Sequence, residues 1–94
     1  DDVYQIYTAG DTVVELASEG TDLVESRADF TLSIFVEHLT LMADAVRGTG
    51  NALNNRITGN LLSNVIRSGE GDDTLIGGAG ADTLIGGTGN DMYD

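Results

Sequence analysis

Cysteine, proline and lysine are all missing from this chain. Without cysteine there can be no disulfide and no thiolate metal site. Basic residues are scarce: there are four, all arginine (Arg27, Arg47, Arg56 and Arg67), against 16 acids. The formal net charge of −12 argues against a nucleic-acid partner, whose phosphates need cations. It also opposes compaction unless something neutralises it. No apolar run approaches the roughly 20 residues of a membrane span, and no signal peptide is visible. At 94 residues the chain reads as one domain or one segment of a longer array. A core of that size is marginal, so added stabilisation from bound groups or neighbours is expected.

What is abundant is glycine, 13 residues in all, most of them at fixed offsets. From Gly50 the chain reads in nines: GNALNNRIT (50–58), GNLLSNVIR (59–67), SGEGDDTLI (68–76), GGAGADTLI (77–85) and GGTGNDMYD (86–94). Position six runs Asn55, Asn64, Asp73, Asp82, Asp91, and position eight runs Ile57, Ile66, Leu75, Leu84, Tyr93. Position four changes from Leu53 and Leu62 to Gly71, Gly80 and Gly89. The turn chemistry therefore switches halfway along one scaffold. The apolar eighth position, kept in all five blocks, argues against a disordered acidic linker.

Residues 1–49 are less regular. They read as short strands separated by Gly or Asp turns. Within 30–43, Val36, Leu39 and Leu41 are inward candidates on a strand. Phe30, Ile34, Phe35, Leu39 and Met42 would form a helical stripe instead. The β-branched and aromatic content favours strand.

The Gly-rich half of each later block can aim several backbone carbonyls and one carboxylate at a single point, because glycine adopts positive φ freely. Such an oxygen set suits calcium, which takes six to eight oxygen ligands. One turn supplies about half of that set, so a second must stack on it. With two nonapeptides per coil, turns on one edge lie 18 residues apart. Asp73 and Asp91 then flank one ion. Asp82 has only Asn64 at that spacing.

These blocks resemble the nonapeptide repeat of RTX calcium-binding proteins, G-G-x-G-x-D-x-U-x. The likeness is strongest over 68–94 and softer before residue 50. It implies an all-β fold: a right-handed parallel β-solenoid of the β-roll type across 1–94, with divergent coils over 1–49 and nonapeptide repeats over 50–94. It further implies several Ca²⁺ ions, held by carbonyls near positions two and four and by the sixth-position Asp. Those residues are Gly69, Gly71 and Asp73; Gly78, Gly80 and Asp82; Gly87, Gly89 and Asp91. Asp2 and Asp22, twenty apart, make a looser candidate pair. The resemblance also implies type I secretion by a bacterium, an extracellular location, and folding of the whole chain on calcium.

Asn90-Asp91-Met92-Tyr93 matches Asp1-Asp2-Val3-Tyr4 at an offset of 89 residues. End-to-end stacking with like modules is therefore expected, with Asp82 completed by Asp11 of a following copy. The alternative is a carbohydrate- or surface-binding accessory module of a secreted enzyme or adhesin, carried by outward Tyr and Arg.

Other chemistry finds little support. No EF-hand pattern occurs, and no GK[ST] follows any G-x-G. His38 reads as a hydrogen-bonded structural residue, and Tyr4, Tyr7 and Tyr93 as packing or edge residues. Glu15, Glu25 and Glu37 read as solvated. Asn55 and Asn64 are expected to stack as an amide ladder. No Ser/His/Asp or paired-carboxylate spacing argues for catalysis, so the chain is not read as an enzyme.

Overall fold

The structure, a computed structural model, describes residues 3–7 and 20–94. Among them are ten strands of two to four residues and no helix, hence none long and apolar enough to cross a membrane. In chain order they are β1 (Val3–Ile6), β2 (Leu23–Ser26), β3 (Phe30–Thr31), β4 (His38–Leu41), β5 (Arg47–Thr49), β6 (Arg56–Thr58), β7 (Val65–Arg67), β8 (Thr74–Ile76), β9 (Thr83–Ile85) and β10 (Met92–Tyr93). They form two sheets, β1-β2-β4-β6-β8-β10 and β3-β5-β7-β9. Every pairing is parallel. From β2 onward the chain alternates between the sheets, so it winds as a flattened β-solenoid, the expected architecture.

The strands are short because each nonapeptide must turn a corner, and a three-residue strand points one side chain inward. In the larger sheet that inward column runs Tyr4, Val24, Leu39, Ile57, Leu75, Tyr93. The facing column runs Phe30, Gly48, Ile66, Leu84. Val24, Leu39, Ile57, Ile66 and Leu75 are completely buried. Gly48 is the exception in size. A Cβ there would lie 3.1 Å from Leu39 Cδ2 and 3.3 Å from Leu41 Cδ1. The larger sheet has already filled that space, with Leu41 from a second inward row. A buried Leu or Ile is worth about 1.5–3 kcal/mol. Each coil holds few of them, so the polar turns that close it must be satisfied in their own right.

The 18-residue step holds further upstream than the nonapeptide blocks suggest. His38 pairs with Arg56 and Phe30 with Gly48. Above that the coils are irregular: Leu23 pairs with His38, 15 residues on, and Val3 with Leu23, 20 on. Residues 30–43 are strand, not helix, but divided between the sheets by a turn in which the Val36 N–H donates to the Ser33 carbonyl. Val36, Leu39 and Leu41 are all buried, whereas Ile34 of the helical stripe is 70% exposed.

His38 lies half-buried on the outer row of its sheet, alternating with the buried Leu39. The tyrosines edge the sheets as expected. Tyr4 packs partly against the core, Tyr7 lies under the Arg27 guanidinium, 5.2 Å from its ring centre, and the Tyr93 hydroxyl accepts the Gly86 N–H at 3.0 Å.

Candidate metal centre

The coil places the turns on two edges. On one, 50–55, 68–73 and 86–91 lead into β6, β8 and β10; on the other, 59–64 and 77–82 lead into β7 and β9. Strand register aligns Asp22, Glu37, Asn55, Asp73 and Asp91, each just before its strand, in one column. Asp73 and Asp91 are therefore brought together as the spacing predicts, with the Asp73 N–H donating to Asp91 Oδ1 at 2.9 Å. Asp22 is buried three coils above Asp73. Asp82 stands on the opposite edge beside Asn64. Asp2 and Asp11 lie outside the described residues, as does Glu15. Glu37, expected to be solvated, is half-buried and accepts the Asp22 N–H at 3.0 Å.

The turns have a direction. Each sixth-position carboxylate reaches back to the preceding coil. Asp73 Oδ1 accepts the Asn55 N–H at 2.7 Å, Asp82 Oδ1 the Asn64 N–H at 2.7 Å, and Asp91 Oδ1 the Asp73 N–H. Carbonyls at positions two and four face forward instead. A Cβ on Gly87 would sit 2.6 Å from the Gly69 carbonyl oxygen, and one on Gly89 would collide with that of Gly71. The space between two stacked turns is thus lined by carbonyls from one side and a carboxylate from the other.

Glycine is required here on two counts. At Gly71 φ is +96°, and a Cβ would lie 2.7 Å from the Leu53 carbonyl oxygen. Gly71→Ala is expected to cost roughly 2 kcal/mol in the calcium-loaded protein, from the left-handed backbone and the unyielding main-chain neighbour. The shift in urea midpoint checks this.

These residues fit a hard cation. Asp73 is 1% exposed, and its Oδ2 is buried without a hydrogen-bond partner. A buried acceptor left in that state is costly, and a cation would satisfy it. Among the described residues no three His, Cys, Asp or Glu side chains converge. A site here has to be built mainly from backbone carbonyls, a donor set for calcium rather than for zinc or copper.

Burial pushes the Asp73 carboxyl above its ordinary pKa of 3.8, and the nearby Asp91 adds to this. The Asn55 N–H and the adjacent Ser68 hydroxyl oppose it. A carboxyl raised on folding stabilises the metal-free fold fully below its unfolded pKa, and that contribution is lost as pH rises through the folded value. In EDTA the downstream coils around Asp73 should therefore be most stable at about pH 4, and their melting transition should move to lower temperature as pH is raised towards neutrality, where they unfold. Asp73→Asn should flatten part of that slope. Calcium competes with the proton for the same oxygens, so its affinity should fall on acidification.

The two Asn turns solve the same problem without a metal. Asn51 Nδ2 donates to the Ser33 and Val36 carbonyls at 2.6 and 2.7 Å. Asn55 Nδ2 donates to those of Val36 and Glu37 and to Asn51 Oδ1. Asn60 and Asn64 repeat the arrangement against Ala43 and Ala45. Asn55 and Asn64 therefore do not stack as an amide ladder. They lie on opposite edges, and their amides clamp backbone carbonyls of the coil before. A side-chain ladder does exist one position earlier: Asn54 Oδ1 accepts the Asp72 N–H, and Asp72 Oδ1 the Asn90 N–H, both at 2.8 Å. Sequence reasoning missed Asn51, Asn60 and this ladder, although the 18-residue recurrence of Asn54, Asp72 and Asn90 was there to find.

Comparison with known proteins agrees with this geometry. The family model for the RTX calcium-binding nonapeptide repeat matches residues 58–93, in four copies. It begins one block before the three Gly/Asp motifs and takes in the turn that carries Asn64. Such repeats are structural calcium-binding units rather than an enzyme family, bind several ions across their length, and occur in secreted bacterial proteins. Neither the curated proteins nor the solved structures give a significant match.

Proposed function

We propose that this chain, whose residues 58–93 are RTX calcium-binding nonapeptide repeats, is a non-catalytic structural module of a secreted bacterial protein that orders on calcium outside the cell and joins like modules end to end. The observation that carries the calcium reading is the buried Asp73 carboxylate with an oxygen left unpartnered between oxygen-lined turns. One ion lies between Gly69 and Gly71 on one side and Asp91 on the other, with Asp73 at its edge. Low calcium inside the cell would leave the acidic repeats unfolded, and millimolar calcium outside would fold them, since metal binding and folding are coupled.

End-to-end joining is favoured by the register. Tyr4 and Tyr93 occupy the same inward column, at opposite ends of one sheet, and each sits in an Asp-x-Tyr segment. A following copy would continue the coil. Its Asp22 would face the Gly87 and Gly89 carbonyls, and the 89-residue sequence offset assigns its Asp11 to the turn that carries Asp82. Each unit then contacts only its neighbours, and stability is nearly one-dimensional.

Circular dichroism with light scattering, read across a calcium titration and reversed with EDTA, tests both parts. A gain of β signal with calcium is expected, followed by particle growth at high protein concentration. A β signal indifferent to calcium would sink the first part. A monomer at high protein and calcium would sink the second.

A further inference from the structure

We propose that calcium also binds between turn 50–55, which lies upstream of the matched repeats, and turn 68–73, although the first of these turns carries no Asp. The inference rests on the calcium reading above and extends it to residues outside the repeat motif. Its basis is the direction of the turns. If carbonyls face forward and the carboxylate faces back, each inter-turn space needs an Asp from the following turn only. The preceding turn contributes main-chain oxygens, which any residue has.

The space between 50–55 and 68–73 meets that condition. From the first turn, the Asn51 and Leu53 carbonyl oxygens face Gly69 and Gly71, 3.3 and 2.7 Å from where Cβ atoms would stand. From the second, the Ser68 carbonyl oxygen faces Gly50, 2.6 Å from the same construction. Asp73 Oδ1 is fixed against the Asn55 N–H, and Oδ2 is buried without a partner. The protein's own side-chain amides point elsewhere: those of Asn51 and Asn55 are spent on Ser33, Val36 and Glu37 of the coil before, and the Ser68 hydroxyl, although beside Asp73, is placed to donate to the Gly86 carbonyl at 3.0 Å. What remains is three carbonyl oxygens and a carboxylate, with water left to complete a calcium shell of six to eight. The same pattern recurs on the other edge inside the matched repeats. There the Asn60, Leu62 and Gly77 carbonyls line the space that holds Asp82.

One Asn turn thus works in two ways. Towards the coil before, its amides donate to carbonyls. Towards the coil after, its own carbonyls await a cation. The first calcium site then falls at Asp73, nine residues earlier than Asp82 and with an Asn turn as its partner.

Carbonyl ¹³C NMR of the full chain during calcium titration tests this, alongside ion stoichiometry from native mass spectrometry. Asn51 and Leu53 should shift together with Gly69 and Gly71. The Asp82→Asn/Asp91→Asn double variant should keep a single ion, lost on adding Asp73→Asn. If Gly69 and Gly71 shift while Asn51 and Leu53 stay fixed, the proposal is overturned and the calcium reading stands. If no carbonyl shifts and no ion binds, both are overturned. Should the double variant not fold, the wild-type carbonyl shifts alone decide.

Discussion

Asn55→Asp is expected to destabilise the calcium-free protein by about 3–5 kcal/mol, the range for leaving a buried charge uncompensated. The substitution is nearly isosteric, so packing is not the cause. Asn55 is 2% exposed, and its Nδ2 donates to the Val36 and Glu37 carbonyls and to Asn51 Oδ1 at 3.3, 3.2 and 3.0 Å. The change replaces that donor with an anionic oxygen facing three acceptors. Asn55→Ala removes the donor without adding charge and should cost less, roughly 1–3 kcal/mol. Urea denaturation in EDTA measures both. If Asn55→Ala loses no stability, the amide clamp is not what holds this turn; if the two variants lose the same, the added charge is not what destabilises Asn55→Asp.

Removing calcium should unfold β8, β9 and β10 while leaving β4 to β7 formed. Residues 68–94 carry six acids and no base. Their inward column is weak: Leu75 is fully buried, but Leu84 only partly, and Tyr93 is 55% exposed. Without a cation, the Asp91 carboxylate shares its space with the Gly69 and Gly71 carbonyls, and the Asp73 carboxylate shares its own with those of Asn51 and Leu53, with no positive charge to offset them. Upstream, Leu39, Ile57 and Ile66 are fully buried, all four arginines fall before residue 68, and the Asn amides take the carbonyls of the coil before. The resemblance implies instead that calcium folds the whole chain, so the two expectations differ in whether β4 to β7 stay formed without it. Calcium at about a hundred times its dissociation constant adds roughly 2.7 kcal/mol per independent site, enough to order a marginal coil. Thermal melts in calcium and in EDTA should differ by a separate low-temperature transition.

The parts of this arrangement that repeat with period nine were legible in the sequence. Gly71, Asp73 and Leu75 name a turn, a ligand and a core residue in one block, because each role demands a residue type. The upstream coils were harder to read. Phe30, Leu39 and Gly48 keep the nine-residue spacing of the inward column, but Glu37 and Val46 stand where Asn or Asp marks the later turns, so the register was lost. The 15-residue step from Leu23 to His38 breaks it altogether. Asn51 and Asn60 hid for another reason. Their partners are backbone carbonyls of the preceding coil, and a carbonyl has no sequence signature. The direction of the turns was equally invisible, since only coordinates tell which way a peptide plane faces. That direction is what gives Asp82 a partner turn, 59–64, inside the chain.

Amide hydrogen exchange, followed strand by strand in calcium and in EDTA, tests the account most directly. Calcium is predicted to slow exchange in β8–β10 by orders of magnitude and in β4–β7 far less, because the downstream turns lack the Asn amides that hold β6 and β7 to the coils before them. Equal protection of β8–β10 with and without calcium would contradict it.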